Sequence, residues 1–282
     1  PNGHHYAITR CGRHTNRSNA LDDLFDGLSF VINLHQQSKA DPKETGKRFE
    51  KMFNKLKTGG GFIHIITEKE TIEKAKPAIE TFAKSINLLP LQPPQEKNFA
   101  DIIALTDING PVKSGECECF KIPGQSGFAS QVTPATQYGL KLNGPEDVAA
   151  HWLSQILLWE RIRTVGGAYG GFCSTEPVNG LLRFATYRDP TPELSSDVFD
   201  KCVEEACSID FTEQEVEKAV MGTFSDYIRP KNPAAMAKDS FIRFLHAIEK
   251  EDRKEKILSL LTTDAASMKK ALNNLSKLSK DN

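Results

Sequence analysis

The pattern of apolar and polar positions at the start of the chain predicts a strand followed by two amphipathic helices. Residues 4–11, HHYAITRC, read as a strand that begins abruptly. The next segment repeats its apolar residues every three or four positions, which favours a helix opened by Ser18 or Asn19. A further helix has Asp41 as its N-cap, Pro42 at its first position and three glycines after its end. The predicted apolar faces of the two helices are Leu21, Leu24, Phe25, Leu28 and Ile32, and Phe49, Met52, Phe53 and Leu56.

The segment that follows predicts a short strand, a helix and a linker. GFIHIIT, residues 61–67, is an apolar run that favours a buried strand. The next helix reaches about Ile86, and Pro77 predicts either a kink or a fresh start within it. Residues 87–99 are rich in proline and polar residues, which indicates a linker.

Beyond the linker, the pattern predicts strands around one long helix. Residues 115–122 alternate as a strand does, and residues 128–139 predict a second strand. A helix opens at Gly144 and ends near Arg163, and Asn179-Gly180 between two apolar runs is a strong hairpin signal. The apolar stripe predicted for the long helix is Val148, Trp152, Ile156 and Trp159.

The C-terminal third is predicted to be helical. Helices begin near Pro192, Pro233 and Thr263, and a capping box formed by Thr212 and Glu215 opens another. A faint repeat links YAITR and DLFD near the start with FATYR and DVFD later on, with a strand feeding helices in both places. Together these patterns predict an α+β chain that holds parts of two similar domains.

Composition narrows the classes of function. The chain has 282 residues, of which 39% are hydrophobic and 26% charged, and its net charge is −1. The balanced charge argues against nucleic acid and against anionic membranes as partners, and no apolar run approaches the roughly 18 residues of a membrane span. Six scattered cysteines without a CxxC pair predict reduced thiols in an intracellular protein. The first residues show neither an initiator methionine nor a signal-peptide pattern, so we expect a fragment or a processed piece.

The histidines do not predict a metal site. None of the seven lies in an HExxH or HxxEH pattern. His4 and His5 are adjacent on a predicted strand and would point to opposite faces. His64 alternates with isoleucines and His151 lies early in a helix, which favours structural roles for both. No GxSxG nucleophile elbow is present either.

The segment RIRTVGGAYGGFCS, residues 161–174, is the strongest candidate for a functional site. A nucleotide cradle is excluded, because GGAYGG lacks the lysine and the Ser/Thr of a phosphate loop. It also follows a helix and precedes a strand, which is the reverse of the order that such loops need. A plain turn explains one or two of the glycines, but neither the tyrosine among them nor the glycines that continue into the strand.

These residues carry a resemblance to a known family. Arg163, five residues and then Tyr169, set in IRTVGGAYGG, resemble the C-terminal half of the pitrilysin/insulinase-type (M16) zinc metallopeptidases, in particular the presequence-protease and falcilysin branch. The likeness continues through residues 166–190 and, more loosely, to the first residues, so that it covers nearly the whole chain.

The resemblance implies an architecture of two halves that close around an unfolded peptide. Each half has two similar α+β domains, with helices packed on one face of a mostly antiparallel sheet. The resemblance assigns residues 1–89 to the C-terminal part of the third domain, which is incomplete at its N-terminus. It assigns residues 90–113 to a linker and 114–282 to the fourth domain. Zinc and the general-base glutamate belong to the HxxEH motif of the N-terminal half. This chain, which holds none of the zinc ligands, is therefore expected to be inactive alone and to need that half as its partner.

The resemblance also implies roles for individual residues. Arg163 and Tyr169 are the catalytic positions of this half, where they bind the substrate and stabilise the oxyanion. Gly166, Gly167 and Ala168 are expected to bind substrate by letting a peptide backbone lie against the loop as an added strand. The chain departs from the family pattern by ending without the closing strand expected of the fourth domain.

The implied function is a zinc endopeptidase that degrades short unfolded peptides of the presequence or transit type. The expected compartment is an organelle matrix in a eukaryote or the cytoplasm in a bacterium. The alternative is a non-catalytic M16-fold scaffold or a peptide-binding partner subunit, which would need neither Arg163 nor Tyr169. A third possibility is an unrelated α+β domain with a fortuitous GGAYGG.

Overall fold

The fold was analysed in a computed structural model. The structure describes residues 3–91, 98–107, 117–122, 124–134, 144–176 and 180–280, with side chains up to residue 277. Two compact units are present, one made of Pro1–Val31, Asn98–Arg229 and Ile248–Asn282, and the other of Ile32–Lys97 and Pro230–Ala247. The predicted boundaries at 89/90 and 113/114 stay a prediction.

Helices dominate the part of the chain before the sheet. They are α1 Gly3–Gly12, α2 Arg17–Asp26, α3 Leu28–Gln37, α4 Pro42–Thr58, α5 Lys69–Ser85 and α6 Phe99–Thr106. Helix α2 begins at Arg17, before the predicted Ser18 or Asn19, because the side chain of Asn16 caps it by accepting from the Asn19 N–H at 3.0 Å. The single helix predicted to include Leu28 and Ile32 is wrong, since the chain divides at Gly27 into α2 and α3. Helix α6 was not predicted, since it lies within the linker expected at residues 90–113.

The strand predicted for residues 4–11 is wrong, because this segment is helix α1. Arg10 is buried there and its guanidinium donates to Asp23 at 2.9 Å and to the carbonyl oxygen of Thr106 at 2.6 Å. Arg13, also buried, lies one turn further on and meets Glu118 at 2.7 Å. The helix brings both arginines to the same face. A buried guanidinium without acceptors is costly, and this cost outweighs the preference of the alternating pattern for a strand.

Two further strand predictions fail for lack of a neighbouring strand. Residues 61–67 and 117–122 form no ladder with any described strand, and the apolar side chains of 62–66 are largely exposed. An extended segment without a partner leaves its backbone groups to water. Within 117–122, the polar side chain of Glu118 turns to the arginines of α1 instead. Residues 115 and 116 lie outside the described part of the chain.

Helices α4 and α5 are present as predicted, but the packing of α4 and a fresh start within α5 are not confirmed. The Asp41 side chain caps α4 by accepting from the Lys43 N–H at 3.1 Å, and Pro42 is in the first turn. The predicted apolar face of α4 is exposed in the described structure, so the helix is confirmed but its packing is not. Helix α5 continues through Pro77 from Lys69 to Ser85, so the fresh start is wrong. Of the predicted linker, residues 92–97 lie outside the described residues.

The sheet has three antiparallel strands in the order β1-β3-β2, with β1 Ser130–Pro134, β2 Gly170–Glu176 and β3 Leu181–Tyr187. Gly170 pairs with Tyr187 and Glu176 with Leu181, which confirms the hairpin. Gly180 adopts a φ of 65° at its end, whereas Asn179 lies outside the described residues. Strand β1 confirms the centre of the strand predicted for 128–139, and residues 135–139 are again outside. At the described residues, β2 forms one edge of the sheet.

Apart from the hairpin, the described chain after β1 is helical, and its helices follow the predicted order with one addition. They are α7 Gly144–Leu153, a π-helical segment Ser154–Val165, α8 Pro192–Ser208, α9 Glu213–Ile228, α10 Pro233–Leu245, α11 Lys250–Leu261 and α12 Ala265–Lys280. Helix α11 was not predicted, and the capping box of Thr212 and Glu215 at the start of α9 is confirmed. The core of the first unit includes Val148, Leu153, Leu158, Leu182, Phe184, Phe199, Val203, Leu260, Met268, Leu272 and Leu275. The α+β class is thereby confirmed.

The wider winding of the π-helical segment changes which of its residues are buried. The predicted stripe included Ile156 and Trp159, but these side chains are 50% and 46% exposed. Leu157, Leu158 and Ile162 are buried instead. The prediction assumed α-helical spacing. In a π-helix, whose hydrogen bonds join residues five apart, each residue is rotated about the helix axis by a smaller angle than in an α-helix. The segment therefore turns Trp159 outward.

Two adjacent carboxylates are buried at the start of α7. Asp147 accepts from the hydroxyls of Thr175 at 2.6 Å and Tyr227 at 2.7 Å and pairs with Lys256 at 2.7 Å. Glu146 is buried as well, yet its Oε2 has no hydrogen-bond partner among the described residues. Burial, and to a lesser degree the neighbouring Asp147, raises the pKa of Glu146 to about 7, against the opposing effect of Lys256.

We predict that Glu146→Gln stabilises the protein in alkaline solution. Because the folded-state pKa of Glu146 lies above the unfolded value of 4.5, the native state binds the proton more tightly, and the free energy of unfolding falls as the pH rises from about 4.5 to about 7. The free energy of unfolding of the variant should exceed that of the wild type by about 2 kcal/mol at about pH 8, and the two should differ little at about pH 4.5. Urea unfolding at both pH values measures this.

Glu193→Gln is the matched control, since Glu193 also lies in a first turn next to a proline but is exposed. It should change stability little at either pH. An equal effect of the two substitutions, or no gain from Glu146→Gln at the higher pH, would contradict the assignment.

Candidate functional site

The end of the π-helical segment presents Arg163 beside an aromatic ring. The Arg163 guanidinium carbon lies 4.0 Å from the ring centroid of Trp159, four residues earlier. At the end of the segment the Gly166 N–H donates to the carbonyl oxygen of Arg161 at 3.0 Å, a bond across five residues. Cation–π contact of this kind holds a guanidinium while leaving its N–H groups free to donate. Arg163 is therefore oriented without being consumed by an ion pair.

The glycine turn is explained by packing inside the chain. Gly167 has a φ of 76°, in the left-handed region. A Cβ on Gly166 would lie 2.7 Å from the carbonyl oxygen of Ile162, and one on Gly171 would lie 2.9 Å from the Ile162 Cβ. The turn thus explains Gly166 and Gly167, whereas Gly171, inside strand β2, is explained by the close approach of the Ile162 side chain. The substrate-binding role expected for Gly166, Gly167 and Ala168 stays a prediction; the first two are exposed, and Ala168 is buried with its N–H donating to Ile162 O at 3.1 Å.

Tyr169 stands out from this turn towards solvent. Its side chain is 61% exposed, and its backbone N–H is anchored on the carbonyl oxygen of Tyr187 at 3.0 Å. The ring lies edge-on to that of Tyr187 at 5.7 Å and 5.4 Å from the Arg163 guanidinium carbon. Its hydroxyl makes no hydrogen bond with the described residues. The structure thus brings together the two residues that the sequence predicted as catalytic.

Sequence reasoning missed Arg188 and the aromatic surroundings. Arg188 follows β3 with a φ of 51°, and its guanidinium carbon lies 6.0 Å from the Tyr169 ring and 5.4 Å from the Tyr187 ring. His4 meets Tyr187 edge-on at 5.1 Å, and burial lowers the pKa of His4. The available sequence signal for Arg188 is its position directly after the second apolar run of the predicted hairpin.

A family model described as the PreP C-terminal domain matches residues 117–279. This match spans the hairpin, the π-helical segment and the helices that pack on them. The chain belongs to the PreP C-terminal domain family. The M16 resemblance inferred from Arg163 and Tyr169 is confirmed, and the unrelated-domain alternative is excluded.

The chain matches curated relatives over most of its length. It is 26% identical over 95% of its length to presequence protease 1, chloroplastic/mitochondrial, from Arabidopsis thaliana, of which it covers 24%. It is 23% identical over 93% of its length to the mitochondrial presequence protease of Candida albicans, of which it covers 26%. The chain thus spans about a quarter of the length of these relatives.

Among solved structures, pitrilysin is 11% identical, with a TM-score of 0.40, and covers 83% of this chain while the match covers 30% of pitrilysin. A likeness at that score supports no assignment of site or mechanism.

The described part of the chain offers no metal centre. No three His, Cys, Asp or Glu side chains within it come together so that they could hold an ion. His5 lies 3.6 Å from Asp26, and His64 stacks on Phe241 at 4.5 Å. In the same part of the chain, no helix is both long and apolar enough to cross a membrane. All six cysteines are free thiols, and burial raises the pKa values of Cys173 and Cys202 above the ordinary range.

We predict that Gly171→Ala destabilises this PreP C-terminal domain by about 1–3 kcal/mol, because the new methyl group would overlap the Ile162 side chain. Gly46→Ala is the matched control: Gly46 lies inside α4 with nothing within 4 Å of an added Cβ. That substitution should stabilise α4 slightly, by about 0.5–1 kcal/mol. Thermal unfolding of both variants tests the packing, and equal stability of Gly171→Ala and wild type would show that the turn does not press against Ile162.

Proposed function

We propose that this chain is the C-terminal part of a peptidase that degrades short unfolded peptides. The observation that carries the proposal is the pairing of Arg163 with Tyr169, whose solvent-facing hydroxyl lacks a described partner, in a family whose curated relatives are presequence proteases. Peptides of the presequence or transit type are the substrates we expect.

The chemistry of the two side chains suits amide hydrolysis. The carbonyl oxygen of a scissile peptide gains negative charge as water attacks the carbonyl carbon. A guanidinium and a phenol hydroxyl directed at that oxygen, or at its neighbours, donate hydrogen bonds that strengthen with the charge. Their positions are set beforehand by Trp159 and by the Tyr169 backbone bond, which lowers the cost of ordering them.

Strand β2 supports the choice of an extended substrate. It is the edge of the sheet over the described residues, and Tyr169 precedes its first residue, Gly170. An extended peptide can add to such an edge by backbone hydrogen bonds, with little dependence on side chains. Gly166, Gly167 and Ala168 would then bind the peptide through their backbone. The proposed peptidase would therefore select unfolded peptides over folded proteins.

Zinc is the cofactor that the family resemblance implies. The described side chains do not fit a zinc ion, so we place its ligands in the N-terminal half of the same protein and derive no step through it here. This chain alone should then be inactive. The relatives' mitochondrial and chloroplastic names support an organelle matrix as the compartment if the source is eukaryotic.

A non-catalytic scaffold or peptide-binding subunit is the second candidate. Such a protein would need the fold but no oriented guanidinium beside an exposed tyrosine. The retention of both groups favours the peptidase.

We predict that Arg163→Ala and Tyr169→Phe in the full-length protein each lower kcat/KM for an unfolded peptide about 100-fold, because each removes a donor to the developing charge. Arg161→Ala is the matched control: Arg161 lies on the same π-helical segment but pairs with Glu205 at 3.0 Å and should leave cleavage nearly unchanged. Steady-state assays with an internally quenched peptide, together with thermal unfolding to confirm the fold, measure these effects. Normal cleavage by both site variants would reject the proposed roles, and a full-length wild type that binds peptides without cleaving them would favour the scaffold.

A further inference from the structure

A second arginine lies beside Tyr169 and has no role in the function proposed above. The guanidinium carbon of Arg188 is 6.0 Å from the Tyr169 ring, and that of Arg163 is 5.4 Å from the same ring. Tyr169 and Arg188 are exposed and Arg163 is partly so. Two cations therefore share one exposed tyrosine at the end of the edge strand.

Neither cation is neutralised by the described part of the chain. No carboxylate oxygen there lies within 4.0 Å of either guanidinium. The nearest acid in sequence, Asp189, is buried and accepts from the Thr191 N–H at 3.0 Å and from the Ser195 hydroxyl at 2.5 Å. Cations without a counter-ion within reach favour the binding of an anion.

The neighbouring acids on the π-helical segment are also engaged. Glu160 lies 3.9 Å from Arg161, and Glu205 of α8 lies 3.0 Å from the same guanidinium. Both acids thus pair with Arg161, whereas the described contacts of the Arg163 guanidinium are with the rings of Trp159 and Tyr169.

The backbone fixes Arg188 in an unusual conformation. Its φ of 51° is uncommon for a residue with a side chain. The conformation is held by bonds on either side: the Tyr169 N–H reaches Arg188 O at 3.3 Å, and Gly127 and Asp189 exchange two backbone bonds at 2.7 and 2.9 Å. Strain that the surroundings maintain in this way is a reason to look for a function.

We propose that Arg188, beside Tyr169 and Arg163, binds a carboxylate of the peptide substrate. The carboxylate is an acidic side chain or the free C-terminus, and both present the same planar acceptor to guanidinium N–H groups. This inference rests on the proposed peptidase function and adds a substrate preference to it: Arg188 selects peptides with a carboxylate at the position that faces Tyr169.

The test uses the full-length protein and a matched set of quenched peptides. One series carries a single Glu at each position in turn, the second has Gln at the same position, and a third compares a free with an amidated C-terminus. We expect one carboxylate, internal or terminal, to raise kcat/KM about 5-fold, the range of an exposed ion pair. Arg188→Gln should abolish this preference and leave cleavage of the uncharged peptides unchanged, Arg188→Lys should restore part of it, and added salt should weaken it.

Controls separate this site from a general effect of charge and from the proposed function. Arg161→Gln removes the same charge from a paired arginine and should keep the preference. If Arg188→Gln folds poorly, Arg188→Asn replaces it, because Asn adopts positive φ more readily. Equal rates on Glu, Gln and amidated peptides in the wild type, or loss of the preference in Arg161→Gln, would overturn the carboxylate site. If Arg163→Ala loses cleavage but Arg188→Gln keeps the preference, the carboxylate site is overturned and the proposed function stands. Normal cleavage by Arg163→Ala and Tyr169→Phe would instead reject the proposed function.

Discussion

The close approach of Ile162 to Gly171 is the constraint on which the site depends. Ile162 is buried at the end of the π-helical segment, and its Cβ occupies the space that a Cβ on Gly171 would need. Its carbonyl oxygen accepts from the Ala168 N–H at 3.1 Å, which closes the turn. A helix end and an edge strand are thereby held at backbone distance, and no residue larger than glycine allows that distance.

That contact decides where the functional side chains go. With Ile162 facing the core, the next position on the solvent side is Arg163, and the wide winding of the segment brings Trp159 under its guanidinium at 4.0 Å. The turn then delivers Tyr169 to the start of β2, where the Tyr187 carbonyl fixes it. The glycines thus act through packing, and the groups that they position are the exposed phenol of Tyr169 and the partly exposed guanidinium of Arg163.

The sequence predicted what depends on local signals and missed what depends on tertiary partners. The cap at Asp41, the capping box at Thr212 and the hairpin before Gly180 are short-range features, and the structure confirms them. The strand predicted at 4–11 fails because the buried Arg10 finds its acceptors far along the chain. Arg163 and Tyr169 were accessible through a family resemblance, whereas the role proposed for Arg188 depends on its backbone conformation and its neighbours, which the structure alone shows.

The central claim is that the Arg163–Tyr169 pair touches the substrate. A crystal structure of the full-length protein with a peptide that it cannot cleave tests this most directly. We expect the Tyr169 hydroxyl and the Arg163 guanidinium to lie about 3 Å from oxygen atoms of the bound peptide, with the peptide extended beside β2. A peptide bound elsewhere, with both side chains left in solvent, would contradict it.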